Sequence, residues 1–366
     1  MRIIFWQNII SPHQLDFLKA LSNNFDITLI VEQVQDSYRA KDGWDVPEYD
    51  FLKVVVKPSL DSLDEYFEDS DIIHVFSGIS GYKLVYEGFK KAVKYNAKIG
   101  VLSEPINMIG IKGILKLLRG NYQRLKYGEK IGFIAATGDL GIQTYLKFGY
   151  NKEKLFQWGY FVDYNGPDFQ LKKNQAVFVG QLTNRKQIIP LTELFKENKG
   201  FGYDEFLILG TGIDEPILKD IINNSQPDFK IRLLGRKQSS ETMKIISESK
   251  LLVIPSLFDG WAVVVNEALL AGTPIITSDK VGAKILIENS KRGDVFKAGD
   301  FYQLKSLIDK WSKIEYTIED FRQIQDWANN NISPSIAADY FSEILDFAYK
   351  GGNEKPIASW VKDKLI

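Results

Sequence analysis

The chain has 366 residues, and 46 Lys and Arg against 47 Asp and Glu leave a formal net charge of −1. That length suits two domains, each able to bury its own core, and the balanced charge offers no overall basic field to hold nucleic acid. With no cysteine and only two histidines, disulfides, thiolate metal sites and a cysteine nucleophile are excluded and a histidine-rich metal centre is not expected; the composition fits a cytoplasmic protein.

The opening run MRIIFWQNII is short and is followed by Pro12, so it reads as a first strand and not as a secretion signal. No stretch of about 18 apolar residues predicts a spanning helix. Short apolar runs then alternate with helix-period segments, the pattern of parallel sheets covered on both faces. In the first half the predicted strands are Arg2 to Trp6, Asp26 to Val31, Leu52 to Val56, Asp71 to Phe76, Lys98 to Ser103 and Gly132 to Ala136. His74 lies inside one of these apolar runs, where a core position is expected. Asp69-Ser70-Asp71 has the form of a metal-binding Asp-x-Asp but only opens that strand.

Between Asn107 and Lys130 the charge is one-sided: Lys112, Lys116, Arg119, Arg124, Lys126 and Lys130 face a single acid, Glu129. At about 100° per residue Ile111, Ile114, Leu115, Leu118, Tyr122 and Leu125 form one stripe, with Lys112, Lys116, Arg119 and Lys126 along one flank. A basic amphipathic helix is the profile of contact with an anionic membrane surface, which would make the protein peripheral on the inner face of the cell membrane. A helix packed on its own domain, or a basic rim for a phosphorylated acceptor, are the alternatives.

The turn chemistry of Asn165-Gly166-Pro167, within the loop-rich stretch from Gly159 to Gln175, marks a linker. It divides an N-terminal domain, 1–164, from a second domain, 165–333. Strands resume at Gln175 to Gly180, Phe206 to Gly210, Lys230 to Gly235, Leu251 to Pro255 and Thr273 to Thr277. Gly210-Thr211-Gly212 begins like a dinucleotide fingerprint, but Glu215 holds the third glycine position. After Ser333-Pro334 a helix to about Tyr349 and a tail containing Trp360 form a last segment, 334–366, expected to pack back toward the N-terminal domain.

Residues 251–289 read strand–loop–helix–strand–loop–helix, and the polar residues of that segment collect in its loop. Ser256 to Trp261 is the loop, and the helix is predicted from Ala262 to Ala271. Gly260 lets backbone approach a ligand, and free amides from Gly260 to Ala262 form an anion site suited to a pyrophosphate. Asp259 and Glu267 stand eight residues apart, placed to grip two parts of one long ligand.

This segment resembles the donor-binding signature of retaining glycosyltransferases of the GT-B fold (family 4, glycosyl transferases group 1), in which Pro-Ser, Glu-Gly and a further Glu recur. Phe178 to Leu182 with Lys186 resembles the first strand of that family's donor domain and its phosphate-binding bases. Ile208 to Gly212 and Leu233 to Arg236 resemble its next two strand ends. Lys154 to Phe156 and on to Val162-Asp163 resembles its approach to the linker. The resemblance implies two Rossmann-like parallel-sheet domains facing across a cleft. The donor site would comprise Gly180, Arg185, Lys186, Gly210, Gly235, Arg236, Gly260, Trp261, Ala262 and Glu267.

It further implies transfer, without a metal or bound cofactor, of a hexose-type sugar from a nucleotide sugar, a UDP-sugar ahead of a GDP-sugar. The acceptor would be a glycan or lipid-linked molecule in bacterial surface polysaccharide synthesis such as lipopolysaccharide or capsule. Lys186 and Arg185 would neutralise the leaving diphosphate, Glu267 would hold the ribose and Asp259 a sugar hydroxyl. His13 and Glu104, at first-half strand ends, are the candidates for the acceptor side. The chain departs from the family twice: Asp259 replaces its first Glu, and Gln181 stands where Arg is usual, with Arg185 nearby to supply the charge. Two other functions share these residues: a nucleotide-sugar 2-epimerase of the same fold, and a non-catalytic nucleotide-sugar or glycan-binding protein.

Overall fold

The computed structural model describes residues 1–35, 49–108, 110–167, 171–224, 229–288 and 290–362. Ile109 of the basic helix segment, residues 168–170 of the predicted linker, Asn289 and the tail residues 363–366 lie outside the described residues. The chain divides into two compact units, Met1–Val162 with Ser333–Ile366, and Asp163–Ile332.

The first unit is built on a seven-stranded parallel sheet. Its strands are β1 (Arg2–Gln7), β2 (Asp26–Val31), β3 (Lys53–Val56), β4 (Ile73–Ser77), β5 (Lys98–Ser103), β6 (Ile131–Thr137) and β7 (Leu155–Trp158), in the order β3-β2-β1-β4-β5-β6-β7. Successive side chains of β1 serve opposite faces, as the two-residue period of a strand requires. Phe5 meets Phe17 of the helix Pro12–Ser22 and Phe341 of the helix Pro334–Tyr349, at ring centroids of 6.4 and 6.0 Å. Trp6 stacks between Phe67 and Phe76 on the other face, at 5.6 and 5.7 Å. Burial on both faces is why these strands are continuous apolar runs with no alternation. The helix begun by Pro334 thus fills one face of the first unit, and Trp360 closes behind it against Phe161 and Tyr340.

His74 is fully buried in this core, and its Nδ1 accepts a hydrogen bond of 3.2 Å from Trp6 Nε1. Burial, with a smaller contribution from the Arg2 charge, lowers its pKa to about 3, so the ring is a neutral packing element.

The second unit carries a six-stranded parallel sheet: β8 (Lys173–Val179), β9 (Glu205–Leu209), β10 (Lys230–Gly235), β11 (Ser249–Ile254), β12 (Ile275–Ser278) and β13 (Gly293–Phe296), ordered β10-β9-β8-β11-β12-β13. Two strands, β7 and β13, were not anticipated from sequence. Both are four-residue edge strands, and β13 includes Asp294, so neither shows the long apolar run of a central strand. Strand β4 begins at Ile73 and not at Asp71, because Asp71 N–H is held by the Asp69 carboxylate in a local turn at 2.9 Å. Strand β12 likewise begins after Thr273, whose hydroxyl donates to Ile246 O at 2.8 Å.

Candidate active site

Strand order decides where a ligand of a parallel sheet sits. In the second unit the chain moves outward from β8 through β9 to β10, then returns to the other side of β8 for β11. The point between β8 and β11 is therefore a topological switch point, where the loops leaving two neighbouring strands diverge and open a crevice. Gly235, Gly210, Gly180 and the loop 256–262 follow β10, β9, β8 and β11, so the neighbouring strands bring them side by side at one sheet edge. The β9 and β8 ends approach closely: a Cβ on Gly210, at φ +137°, would lie 1.9 Å from Gly180 O. No other residue fits there.

Lys186 ends the short 3-10 turn Asn184–Lys186 after β8, and Asp259 lies in the loop after β11. They form an ion pair, with the side chains only 12% and 14% exposed. Arg185 approaches the same carboxylate at 4.0 Å and donates from Nη1 to Phe258 O at 2.8 Å. Leu257 N–H in turn donates to Arg185 O at 2.9 Å, so the two loops hold each other. The Asp259 loop is fixed on its far side as well, by Asp259 N–H to Lys280 O at 3.0 Å and Gly282 N–H to Asp259 O at 3.1 Å. This lattice holds two cations and one carboxylate at the switch point. Gln181 is exposed, and Arg185 stands beside the ion pair.

The helix after the loop runs Val263–Leu270, one residue shorter at each end than expected, with Ala262 as its N-cap. No side chain caps it, so the first-turn amides that lack an intrahelical acceptor remain available to an anion. Ala262 adopts φ +72°, ψ +81°, a left-handed conformation that costs an L-residue about 1–2 kcal/mol. Ala262→Gly is expected to raise stability by roughly 0.5–1 kcal/mol, net of the greater freedom of glycine in the unfolded chain. Urea unfolding checks it, and a less stable variant would show that this backbone is not strained.

The Trp261 side chain packs into the core, so the donor contact expected at this position falls to its backbone amide. Its side chain is 1% exposed, and Nε1 donates to Asn266 Oδ1 at 2.7 Å. A large apolar ring with one N–H gains more from a satisfied core position than from a polar site, so Trp261 shapes the loop from beneath. Arg236 follows β10 with an exposed side chain.

Glu267 lies on the second turn of the helix Val263–Leu270. Its carboxyl has no hydrogen-bond or ion-pair partner among the described residues, and desolvation raises its pKa to about 7. An unpartnered, partly accessible acid beside an anion site is poised to accept hydrogen bonds from a bound diol.

In the first unit the structure brings together His13, near the start of the helix Pro12–Ser22 after β1, and Glu104, after β5. The connecting group is Tyr160, which sequence reasoning missed. Its hydroxyl donates to Glu104 Oε1 at 2.5 Å, and its ring lies 5.9 Å from that of His13. Tyr160 follows the short edge strand β7, in a stretch with no periodicity to mark it.

Residues 165–330 match the family described as glycosyl transferases group 1. Among curated proteins, the chain is 31% identical over 137 residues to the UDP-Gal:alpha-D-GlcNAc-diphosphoundecaprenol alpha-1,3-galactosyltransferase of Escherichia coli. It is 27% identical over 146 residues to the amylovoran biosynthesis glycosyltransferase AmsK of Erwinia amylovora. These alignments cover 36% and 37% of this chain and 35% of each relative, about a third of their length. Among solved structures, HepE of Anabaena in complex with UDP superimposes with a TM-score of 0.72 at 13% identity, covering 95% of this chain and all of that one. WaaG, a glycosyltransferase involved in lipopolysaccharide biosynthesis, superimposes at 0.61 and 13% identity, covering 92% of this chain and 98% of its own. The fold is GT-B, and the family match is confined to the second unit.

Proposed function

We propose that the protein is a metal-independent, retaining glycosyltransferase that moves a hexose-type sugar from a UDP-sugar to a glycan or lipid-linked acceptor in bacterial surface polysaccharide synthesis. The observation that carries this is the convergence of Lys186, Arg185 and an uncapped helix start at the switch point of the second sheet. Two cations and a row of amides suit the two phosphates of a nucleoside diphosphate. Glu267, without a hydrogen-bond or ion-pair partner among the described residues, is assigned to the ribose hydroxyls. The complexes of HepE with UDP and with UDP-glucose, and the UDP-Gal donor of the similar E. coli galactosyltransferase, favour a uridine nucleotide.

In the proposed step the acceptor hydroxyl oxygen bonds to the anomeric carbon while the bond from that carbon to the β-phosphate oxygen breaks. The hydroxyl proton passes to the departing phosphate, and the electron pair of the broken bond stays on the nucleoside diphosphate. Lys186 and Arg185 stabilise the charge that develops there. Asp259, paired with Lys186, fixes the ammonium and is also assigned a sugar hydroxyl. His13, Tyr160 and Glu104 are assigned to the acceptor side, where they orient its hydroxyl.

A thermal-shift panel tests the reading. UDP and UDP-hexoses are expected to stabilise the protein by about 2.7 kcal/mol at a hundred times Kd, with GDP and ADP giving less. UDP release from a UDP-hexose is expected to persist in EDTA. No shift with any nucleotide would remove the proposal; UDP binding with no turnover across an acceptor panel would make the protein a nucleotide-sugar-binding protein instead.

A further inference from the structure

The helix Gly110–Tyr127 in the first unit is amphipathic the wrong way round for a packed helix. Its inner face carries Gly113, Leu117, Gly120 and Tyr127, and the glycines bring it close: a Cβ on Gly113 would stand 2.1 Å from Met108 O, and one on Gly120 would stand 2.3 Å from the Phe148 ring. The apolar stripe points away from that face. Ile111, Ile114, Leu115, Leu118, Tyr122 and Leu125 are each 59–80% exposed, within an arc of about 100°. A soluble domain rarely leaves so continuous an apolar row in water without a partner for it.

The flank of the stripe says what that partner is. Arg119 donates to Ser80 O and Oγ at 2.9 and 2.6 Å, Lys116 to Asn107 O at 3.0 Å, and Arg124 to Gly149 O at 2.9 Å. Lys126 lies over the rings of Tyr122 and Tyr127 at 5.7 and 5.1 Å. These partners are neutral, so they hold the cations in place without cancelling their charge. A second copy docking through the same stripe would bring the same cations against them. An anionic lipid surface instead offers hydrocarbon for the stripe and negative headgroups for the flank.

We infer that this helix is a membrane-docking surface, lying in the plane of an anionic phospholipid interface over its length of about 27 Å. The apolar side sinks among the acyl chains while Lys112, Lys116, Arg119 and Lys126 meet the headgroups. No helix among the described residues is long and apolar enough to cross a membrane, so contact is from one side. This inference stands apart from the proposed sugar transfer, since it uses no residue of the donor site.

Flotation of the full chain with vesicles tests it. The wild type is expected to float with vesicles of phosphatidylcholine and phosphatidylglycerol in equal parts, and at least about tenfold less with phosphatidylcholine alone. Lys112→Glu with Lys116→Glu is expected to weaken binding to the anionic vesicles by about tenfold or more, and Leu115→Ser with Leu118→Ser by at least as much. All four positions are exposed, so both variants should keep the wild-type melting temperature, which separates docking from misfolding. The inference is overturned if the wild type ignores anionic vesicles, or if both variants float as it does. It is equally overturned if sedimentation shows a wild-type dimer, lost in Leu115→Ser with Leu118→Ser, with no flotation. Failure here leaves the UDP-induced thermal shift untouched, so the two proposals fall separately.

Discussion

Lys186→Met is expected to lower sugar transfer by about 10²–10³-fold in kcat, the usual cost of removing one donor aimed at charge that develops in the transition state. The nucleotide still meets Arg185 and the helix amides, so UDP binding falls less than turnover does. The variant also leaves Asp259, 14% exposed, with the Arg185 guanidinium at 4.0 Å as its one remaining ion-pair partner among the described residues. An under-paired, mostly buried carboxylate should cost about 1–2 kcal/mol of stability. Adding Asp259→Asn removes that stranded charge, so the double variant is expected to regain the melting temperature but not the turnover. The comparison of melting with kcat separates a structural role for Lys186 from a chemical one. If Lys186→Met turns over within threefold of wild type, Lys186 plays no part in leaving-group stabilisation.

Glu267→Gln is expected to weaken UDP binding by roughly 10–100-fold, because a ribose diol bonds more strongly to a carboxylate than to an amide. Its effect on stability runs the other way. The folded carboxyl titrates near 7, raised by desolvation from an ordinary 4.5. Between these values the folded chain holds a proton that the unfolded chain has released, so stability declines as pH rises through that window and levels off above it. Glutamine carries no such penalty. Urea unfolding should show wild type and variant alike at pH 4 and the variant ahead by on the order of 2 kcal/mol at pH 8, allowing for the solvent that reaches the side chain. Over the same window UDP should bind wild type more tightly as pH rises, since the ionised carboxylate is the better acceptor. A wild-type binding curve flat between pH 5 and 8 would place Glu267 away from the ribose.

The central strands and the alternation of sheet and helix were readable in the residues. A parallel strand buried on both faces is apolar along its middle, as residues 3–6 of β1, 29–31 of β2, 99–102 of β5 and 251–254 of β11 are. Of the residues proposed for the donor side, Gly210 could be placed from sequence at a strand end where backbone approaches backbone, and Asp259 in the loop before the helix that carries Glu267. The edge strands β7 and β13 were not, since short segments covered less completely carry little pattern. The burial of the Trp261 ring was not readable either: nothing local signals that Asn266, one turn along, would take its N–H into the core.

The amphipathic period of residues 111–125 was plain from sequence, but its sense was not. A stripe of leucine and isoleucine ordinarily marks the buried face of a helix, and only the packing of Gly113 and Gly120 against Met108 and Phe148 shows that it faces outward here. The sequence by itself determined the central strands, the alternation of sheet and helix and the kinds of residue at the candidate site, because these follow from local periodicity and backbone freedom. Tertiary structure alone decided which of those residues meet: Lys186 with Asp259 across 73 positions, and Glu104 with Tyr160 across 56. Such pairings depend on the order of strands in a sheet, and strand order is settled by the packing of the whole unit, which no local stretch of sequence encodes.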